Sequence, residues 1–316
     1  MKSFDPTLAP QPNPLMNPEL SRATHVVSIE KVLGLSSRHV YDALAVEEPL
    51  ELQLAHGAVG ARFAKSISVT MRTPGHDFDL AAGFLMTEGV VRDSNDIDQI
   101  VYITNSAAVP ATDLQQEIAL PYRPEKNVVR VDLSSDVVVS LANLERNFYT
   151  TSSCGICGKA SLLALQTVCP PRRENEFDIE AEILYQLPNR LRQAQTLFNQ
   201  TGGIHGAALF NATGKLLAVR EDVGRHNAVD KLLGAEFLAD RTPLRNTLLL
   251  LSGRASFELL QKALMGGVSM VASVGVPSSL AVQVAKDFDI TLVGFLREDH
   301  FNIYNGADHI LGHTSD

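Results

Sequence analysis

The chain is poor in cysteine, with three in 316 residues, and that scarcity rules out a disulfide scaffold. It has no apolar run of the roughly 18–20 residues that a membrane span needs. It has no excess of basic charge either: 27 Lys and Arg stand against 36 Asp and Glu, a net charge of −9. Such a surface lacks the electrostatic footprint of a nucleic-acid or anionic-membrane binder, although local basic sites for a small anion stay open. The opening stretch "MKSFDPTLAPQPNPLMNPEL" lacks both the positive n-region and the apolar h-region of a secretory signal. Its prolines read as a disordered tail over residues 1–24. The expected compartment is the cytoplasm, where thiols stay reduced and a C-x-x-C pair is usually metal-binding or reactive.

What is present is a globular composition, 45% hydrophobic and 20% charged, in a chain long enough for two domains. The expected division is an N-terminal α+β domain over 25–150, a C-x-x-C loop and linker over 151–178, and a second domain over 179–316. In the first, "SISVTMRTPG" alternates like a strand and ends at a Pro-Gly turn. "HDFDLAAGFLMTEGVV" carries apolar residues at helical spacing with acidic residues in its opening turn, and "NVVRVDLSSDVVVSL" contains strand.

The second domain has a clearer rhythm. "IEAEILYQLPNRLRQAQTLFNQTGG" reads as mostly helical and closes on a glycine pair suited to a C-cap. "HGAALF" and "KLLAVRED" are short strands joined by "NATG" as a hairpin. After them "GRHNAVDKLLG", "SFELLQKALMGG" and "PSSLAVQVAKDFD" read as helices, and "TLLLLSG", "VSMVASVG" and "ITLVGFL" as strands. The last three strands alternate with helices, which predicts that they lie parallel.

In a parallel sheet, ligands gather at the carboxyl ends of strands, against helix N-termini. Three such ends are legible. "SGRAS" offers Ser252, Gly253, Arg254 and Ser256; "GVPSS" offers Ser278; "FLREDH" runs from Phe295 to His300. Glycine and hydroxyl groups let backbone N–H groups approach a phosphate, and the Arg254 guanidinium suits that anion. "EDVGRHN" feeds a further helix start and brings Arg225 and His226. Set against this is the plainer reading of ordinary βα turns with N-capping serines. Glu221, Asp222 and Asp230 read as caps and solvated helix charges, and His205 as a packed or hydrogen-bonded histidine.

The most pointed stretch is "TSSCGICGKASLLAL", in which Cys154 and Cys157 lie three apart between glycines. On a helical first turn the two would share a face, where the helix N-terminus favours thiolate. A structural zinc would need about four ligands, with Cys169 and a histidine to complete the set, and no second C-x-x-C exists. A redox pair and a persulfide carrier remain beside it; spacing alone does not choose.

Other motifs do. "EEPLEL", "MRTPGHDFDLAAGFLMTEG", "TSSCGICGKASL", "TGGIHGAALF", "REDVGRHNAVDKLLG", "LSGRASFELLQKAL", "PSSLAVQVAKDFDITLVGFLR" and "NIY" follow one another from about residue 45 to 305. Together they resemble the formate dehydrogenase accessory sulfurtransferase family, FdhD. The resemblance implies an α/β fold whose second domain is cytidine-deaminase-like, three-layered, with a mixed, largely parallel sheet. A zinc deaminase carries H-x-E or C-x-E and P-C-x-x-C at places that here read "GRHNAVDK" and "SGRASFEL", so no resident metal is expected.

The function implied is sulfur delivery. A cysteine desulfurase would load persulfide sulfur onto the C-x-x-C, and the protein would pass it to the bis-molybdopterin guanine dinucleotide molybdenum cofactor, bound as substrate, for formate dehydrogenase. Cys154 matches the family's persulfide-bearing cysteine and Cys157 its neighbour. Phe295, Leu296, Arg297, Glu298, Asp299 and His300 match its cofactor-binding segment, with an acidic pair, Glu298 and Asp299, where the family often has glycine and a basic residue. GDP is expected to mimic part of the cofactor, and a homodimer is the family-level expectation. The alternative is a non-catalytic cofactor-binding chaperone with a structural or zinc-binding C-x-x-C.

Overall fold

In a computed structural model of the chain, the structure describes residues 22–58, 60–104, 126–137 and 177–313. The expected tail up to residue 21, and the C-x-x-C stretch with Cys154, Cys157 and Cys169, lie outside them.

The first part opens with a hairpin, β1 (Thr24–Leu33) and β2 (Ser36–Ala45), which turns through Gly34 at φ 63°. Glycine, with no Cβ, adopts that left-handed backbone conformation without strain. The hairpin forms its own two-stranded sheet, and Val32, Leu33 and Leu35 near its tip are exposed. Next come β3 (Glu48–His56), β4 (Phe63–Arg72), α1 (Asp77–Thr87), β5 (Ile97–Tyr102) and β6 (Val128–Leu133). The strands make a four-stranded sheet in the order β4-β3-β6-β5, with β3 and β6 parallel. The strand alternation buries Leu50, Leu52 and Leu54 of β3 with Val129, Val131 and Leu133 of β6 on one face. Helix α1, with Asp77 and Asp79 in its first turn, lays Leu80 and Leu85 on that face.

The second part begins at β7 (Ile179–Glu180), which pairs in parallel with the final strand β14 (Ile310–Leu311). Helix α2 (Ala181–Ala194) and helix α3 (Thr196–Thr201) follow. Gly202 closes α3 at φ 67°, and its N–H donates to Phe198 O at 2.8 Å, the C-cap expected of the glycine pair. Then come β8 (His205–Phe210), β9 (Leu216–Asp222), α4 (Arg225–Leu238), β10 (Leu248–Leu251), α5 (Phe257–Met265), β11 (Met270–Ser273), α6 (Ser279–Asp287), β12 (Thr291–Gly294) and β13 (Asn302–Asn305).

The six strands order as β13-β12-β11-β10-β8-β9. The β10-β11-β12 core is parallel, as the alternation with helices predicts. The sheet as a whole is mixed, and "largely parallel" needs correcting: the β8–β9, β8–β10 and β12–β13 pairings are antiparallel. The reason is connection length, since the few residues before β9 and before β13 allow a return but not a crossover.

Period-two alternation gives the sheet two apolar faces. Ala208, Phe210, Leu248, Leu250 and Met270 meet Leu184, Leu187 and Leu191 of α2. Ala207, Leu209, Leu249, Leu251 and Val271 meet α4, α5 and α6, in a core continuous with α1 and the four-stranded sheet. The continuity depends on two glycines where α1 crosses α4. A Cβ on Gly83 would lie 1.9 Å from Asp230 O, and one on Gly234 1.9 Å from Asp79 O. The two backbones touch, and no side chain fits between them.

Candidate functional site

Strand direction assembles the site. Because β8 runs antiparallel to β10 and β9 antiparallel to β8, His205 and Asp222 reach the same sheet edge as the carboxyl ends of β10, β11 and β12. The loops there are stitched together by their backbones. Ser252 N donates to Gly206 O at 3.0 Å, Gly275 N to Gly253 O at 2.9 Å, Ser278 N to Ala255 O at 2.9 Å and Phe295 N to Gly275 O at 3.0 Å. Gly275 is required for that approach, since a Cβ would sit 2.9 Å from Arg254 N and Cα.

The predicted residues divide into three groups. Arg225 and His226 open α4, and Ser256 occupies the N-cap position of α5. Among the described residues Arg225 Nε is buried with no hydrogen-bond partner, whereas His226 and Ser256 both face the Glu258 carboxylate. An unsatisfied buried polar atom costs about 1–3 kcal/mol, so Arg225 Nε marks a place that a further acceptor can complete. Ser252 and Gly253 stand beside them; Ser252 Oγ accepts from Gly206 N at 2.9 Å.

A second group is already committed. Ser278 Oγ accepts from Ala281 N at 3.2 Å and caps α6, the plainer reading of that serine. Arg297 donates from Nη1 to Val274 O at 2.5 Å and Leu296 O at 2.9 Å. Leu296 is fully buried in the apolar layer beneath α2, so its side chain serves the core. The third group is exposed: Arg254, Phe295, Glu298, Asp299 and His300, with His300 Nδ1 2.7 Å from Asp299 Oδ1.

The local charges are mixed, cationic at Arg225 and the helix starts and anionic at Glu258. Burial pushes the His205 imidazole below its ordinary pKa, and the Arg225 and His226 charges push the same way. The His226 ring, 3.9 Å from Glu258 Oε2, holds the Glu258 carboxyl well below the usual carboxylate range. The positive ends of α4 and α5 add to the field.

The sequence hid what holds this edge in place. Asp222 is fully buried, and its four contacts are internal. Oδ1 accepts from Gly224 N at 2.8 Å and Asn227 Nδ2 at 3.1 Å, while Oδ2 accepts from Thr73 N at 3.1 Å and lies 2.6 Å from Lys231 Nζ. Asn227 Nδ2 also donates to Met71 O at 2.7 Å, and Lys231 Nζ to Thr73 O at 2.8 Å. The loop after β4 therefore clamps the start of α4. Asp230 likewise is no solvated charge: it is buried 2.9 Å from Lys262 Nζ. Glu221 does act as a cap, accepting from Leu197 N at 2.8 Å and Phe198 N at 2.9 Å at the start of α3.

Comparisons with known proteins agree on one family. A model of the FdhD/NarQ family matches residues 45–311. A sulfur carrier protein FdhD from Streptomyces avermitilis is 48% identical over 276 residues, covering 85% of this chain and 89% of its own. One from Mycobacterium tuberculosis is 47% identical over 270 residues, covering 85% and 92%. A crystal structure from Desulfotalea psychrophila, assigned as a formate dehydrogenase accessory protein, superposes with a TM-score of 0.64 over 92% of this chain and all of that one. At 20% identity, that likeness concerns the fold.

Proposed function

Since the chain belongs to the FdhD/NarQ family, we propose that it is a sulfur carrier for formate dehydrogenase, moving persulfide sulfur from a cysteine desulfurase to the bis-molybdopterin guanine dinucleotide cofactor held as substrate. The observation that carries the cofactor half of this reading is the Arg225 guanidinium at the start of α4, whose Nε is buried with no partner among the described residues. A polyphosphate tail needs charge-assisted donors at helix N-termini, and this edge supplies them. The cytidine-deaminase-like arrangement belongs to the same proposal, supported by the order β8, β9, α4, β10, α5. So do a homodimeric state and a cytoplasmic location. No helix among the described residues is long and apolar enough to cross a membrane.

The sulfur half rests on Cys154 and Cys157 of "TSSCGICGKASL". The Cys154 thiolate attacks the outer sulfur of the desulfurase persulfide, an S–S bond forms, and the desulfurase cysteine leaves as thiolate. Attack by the Cys157 thiolate on the inner sulfur then closes a Cys154–Cys157 disulfide and releases hydrosulfide for the metal centre. A cellular dithiol reduces the disulfide and resets the carrier.

The test is intact mass spectrometry after incubation with a cysteine desulfurase and cysteine. The expected product gains the mass of one sulfur atom, and Cys154→Ala gains none. Stoichiometric zinc bound through Cys154 and Cys157, with no sulfur gain, would instead establish the non-catalytic chaperone.

A further inference from the structure

Helix α1 meets the second part of the fold at both ends and in its middle. Near its start, Asp79 pairs with Arg220 of β9 at 3.0 Å. In its middle, Gly83 touches the α4 backbone at Asp230 and Gly234. At its end, Thr87 and Glu88 meet Asp230 of α4 and Lys262 of α5.

The last meeting is a buried charge cluster that the proposed sulfur chemistry does not use. Lys262 Nζ lies 2.9 Å from Asp230 Oδ1 and 3.6 Å from Glu88 Oε1, and it donates to Thr87 Oγ1 at 3.0 Å. Thr87 Oγ1 donates in turn to Asp230 Oδ1 at 2.9 Å. The Phe84 ring stands 5.6 Å from the ammonium. None of the three charged side chains is more than 11% exposed. Two carboxylates therefore share one ammonium, and Asp230 is the nearer partner.

Three features disfavour a charge on Glu88. It is buried, and the Asp230 carboxylate competes for the same ammonium. As the C-cap of α1 it also sits at the negative end of a helix whose last turn has no basic residue. Burial pushes the Glu88 carboxyl above its ordinary value; the pull of Lys262 does not restore it, and Asp230 adds to the rise. Burial opposes the Lys262 charge as well, but Asp230 and Glu88 outweigh it and keep the ammonium protonated. At the other end of α1, Asp79 is held below its ordinary value despite its burial, by His76 and Arg220, and so stays ionised above about pH 4.

We propose that the Glu88–Asp230–Lys262 cluster is a one-proton latch: protonated Glu88 closes the end of α1 onto α5, and ionised Glu88 opens it, while the Asp79 end and the glycine crossing stay fixed. With the proton in place the cluster is one ammonium and one carboxylate, neutral and dry. Without it the cluster holds an excess negative charge, which draws water in between α1 and α5. A carboxyl raised in the fold stabilises it below the unfolded pKa of about 4.3, and that stability is lost as pH rises through the folded value. The latch thus holds in acid and loosens as pH rises, the opposite sense to the Asp79 pair. The helix it releases is the one that begins at Ser256 and Glu258, beside His226, with Lys262 one turn beyond Glu258. Proton occupancy of Glu88 therefore sets how firmly the α5 side of the strand-end edge is held.

The experiment is hydrogen exchange of the full chain, read as protection factors at about pH 5 and about pH 7.5, in the wild type and in Glu88→Gln, the uncharged mimic of the protonated acid. In the wild type, peptides from the end of α1 and from α5 are expected to be at least about fivefold better protected at the lower pH, with no change in the first turn of α1. Glu88→Gln should keep the high protection at both. Urea unfolding over the same range gives a second reading: wild-type stability should fall with rising pH more steeply than that of Glu88→Gln. Equal wild-type protection at the two pH values overturns the latch, whether or not the variant folds. So does a pH difference in Glu88→Gln as large as that of the wild type, or a loss of protection that is as great in the first turn of α1 as at its end.

Discussion

Lys231 Nζ lies 2.6 Å from Asp222 Oδ2, and both side chains are almost completely buried. This pair joins the loop after β4 to the first turn of α4, the turn that presents Arg225 and His226. Removing one member leaves the other charged and uncompensated. Lys231→Met and Asp222→Asn should each cost about 3–5 kcal/mol in urea unfolding. The double variant should cost clearly less than the sum of the two, since it strands no charge. Additive losses would mean that the two side chains act independently.

The Gly83–Gly234 crossing sets a second expectation. Alanine is the better helix former by about 1 kcal/mol, so on propensity alone Gly83→Ala and Gly234→Ala would stabilise the protein. Contact at 1.9 Å with a backbone oxygen overrides that gain. Each substitution should lower the melting temperature, with a cost of at least about 1–3 kcal/mol for forcing the helices apart. A rise in melting temperature would disprove the close crossing.

The latch between Asp79 on α1 and Arg220 on β9, 3.0 Å long, is sensitive to pH. Burial pushes the Asp79 carboxyl upward, but hydrogen bonds from His76 and Arg220 outweigh it and hold the group below its ordinary value. A depressed carboxyl stabilises the fold above its unfolded pKa of about 3.9, and that stability drains away as pH falls through the folded value. Arg220→Ala should therefore flatten the loss of stability between about pH 5 and pH 3. Parallel stability curves for variant and wild type would exclude this latch.

For the anion edge, GDP is the probe. At about a hundred times its dissociation constant it should stabilise the fold by ~2.7 kcal/mol in thermal shift. Arg225→Ala should remove more of that gain than Arg254→Ala, because Arg225 Nε is buried without a partner among the described residues and Arg254 is exposed. Neutralising Glu298 and Asp299, both exposed, should strengthen binding modestly, and less so at high salt. Equal GDP shifts across all these proteins would remove the nucleotide from this edge.

Sulfur loading separates the three cysteines. Cys154→Ala should abolish it, Cys157→Ala should allow loading but slow release of hydrosulfide, and Cys169→Ala should behave as the wild type. Loss of loading in Cys169→Ala with an unchanged circular dichroism spectrum would refute the assignment.

The sequence displayed the second part far better than the first. "TLLLLSG" and "SFELLQKALMGG" signal strand and helix through local periodicity, and β10, α5, β11, α6 and β12 lie where those patterns put them. The β1–β2 hairpin gave no such signal, because none of its strand side chains is fully buried and no apolar face develops. Strand β13 was visible only as the motif "NIY"; its antiparallel return depends on the loop after β12. At the site, the helix starts and small strand-end residues were legible, while the fates of their side chains were not. Asp222 and Lys231 look like helix-surface charges, since pairing to Thr73 across the fold leaves no local pattern. The spare donor of Arg225 likewise emerges only once the hydrogen bonds of the described neighbours are accounted for.

The crossing of α1 and α4 also bears on how the protein is made. Helix α1 leaves the ribosome long before α4, carrying an apolar flank and a glycine notch that α4, not yet translated, later covers. Until then the nascent first half lacks part of its core, and it exposes an apolar surface of the kind chaperones cover. Commitment to the native state comes late, when Gly234 arrives to close the notch.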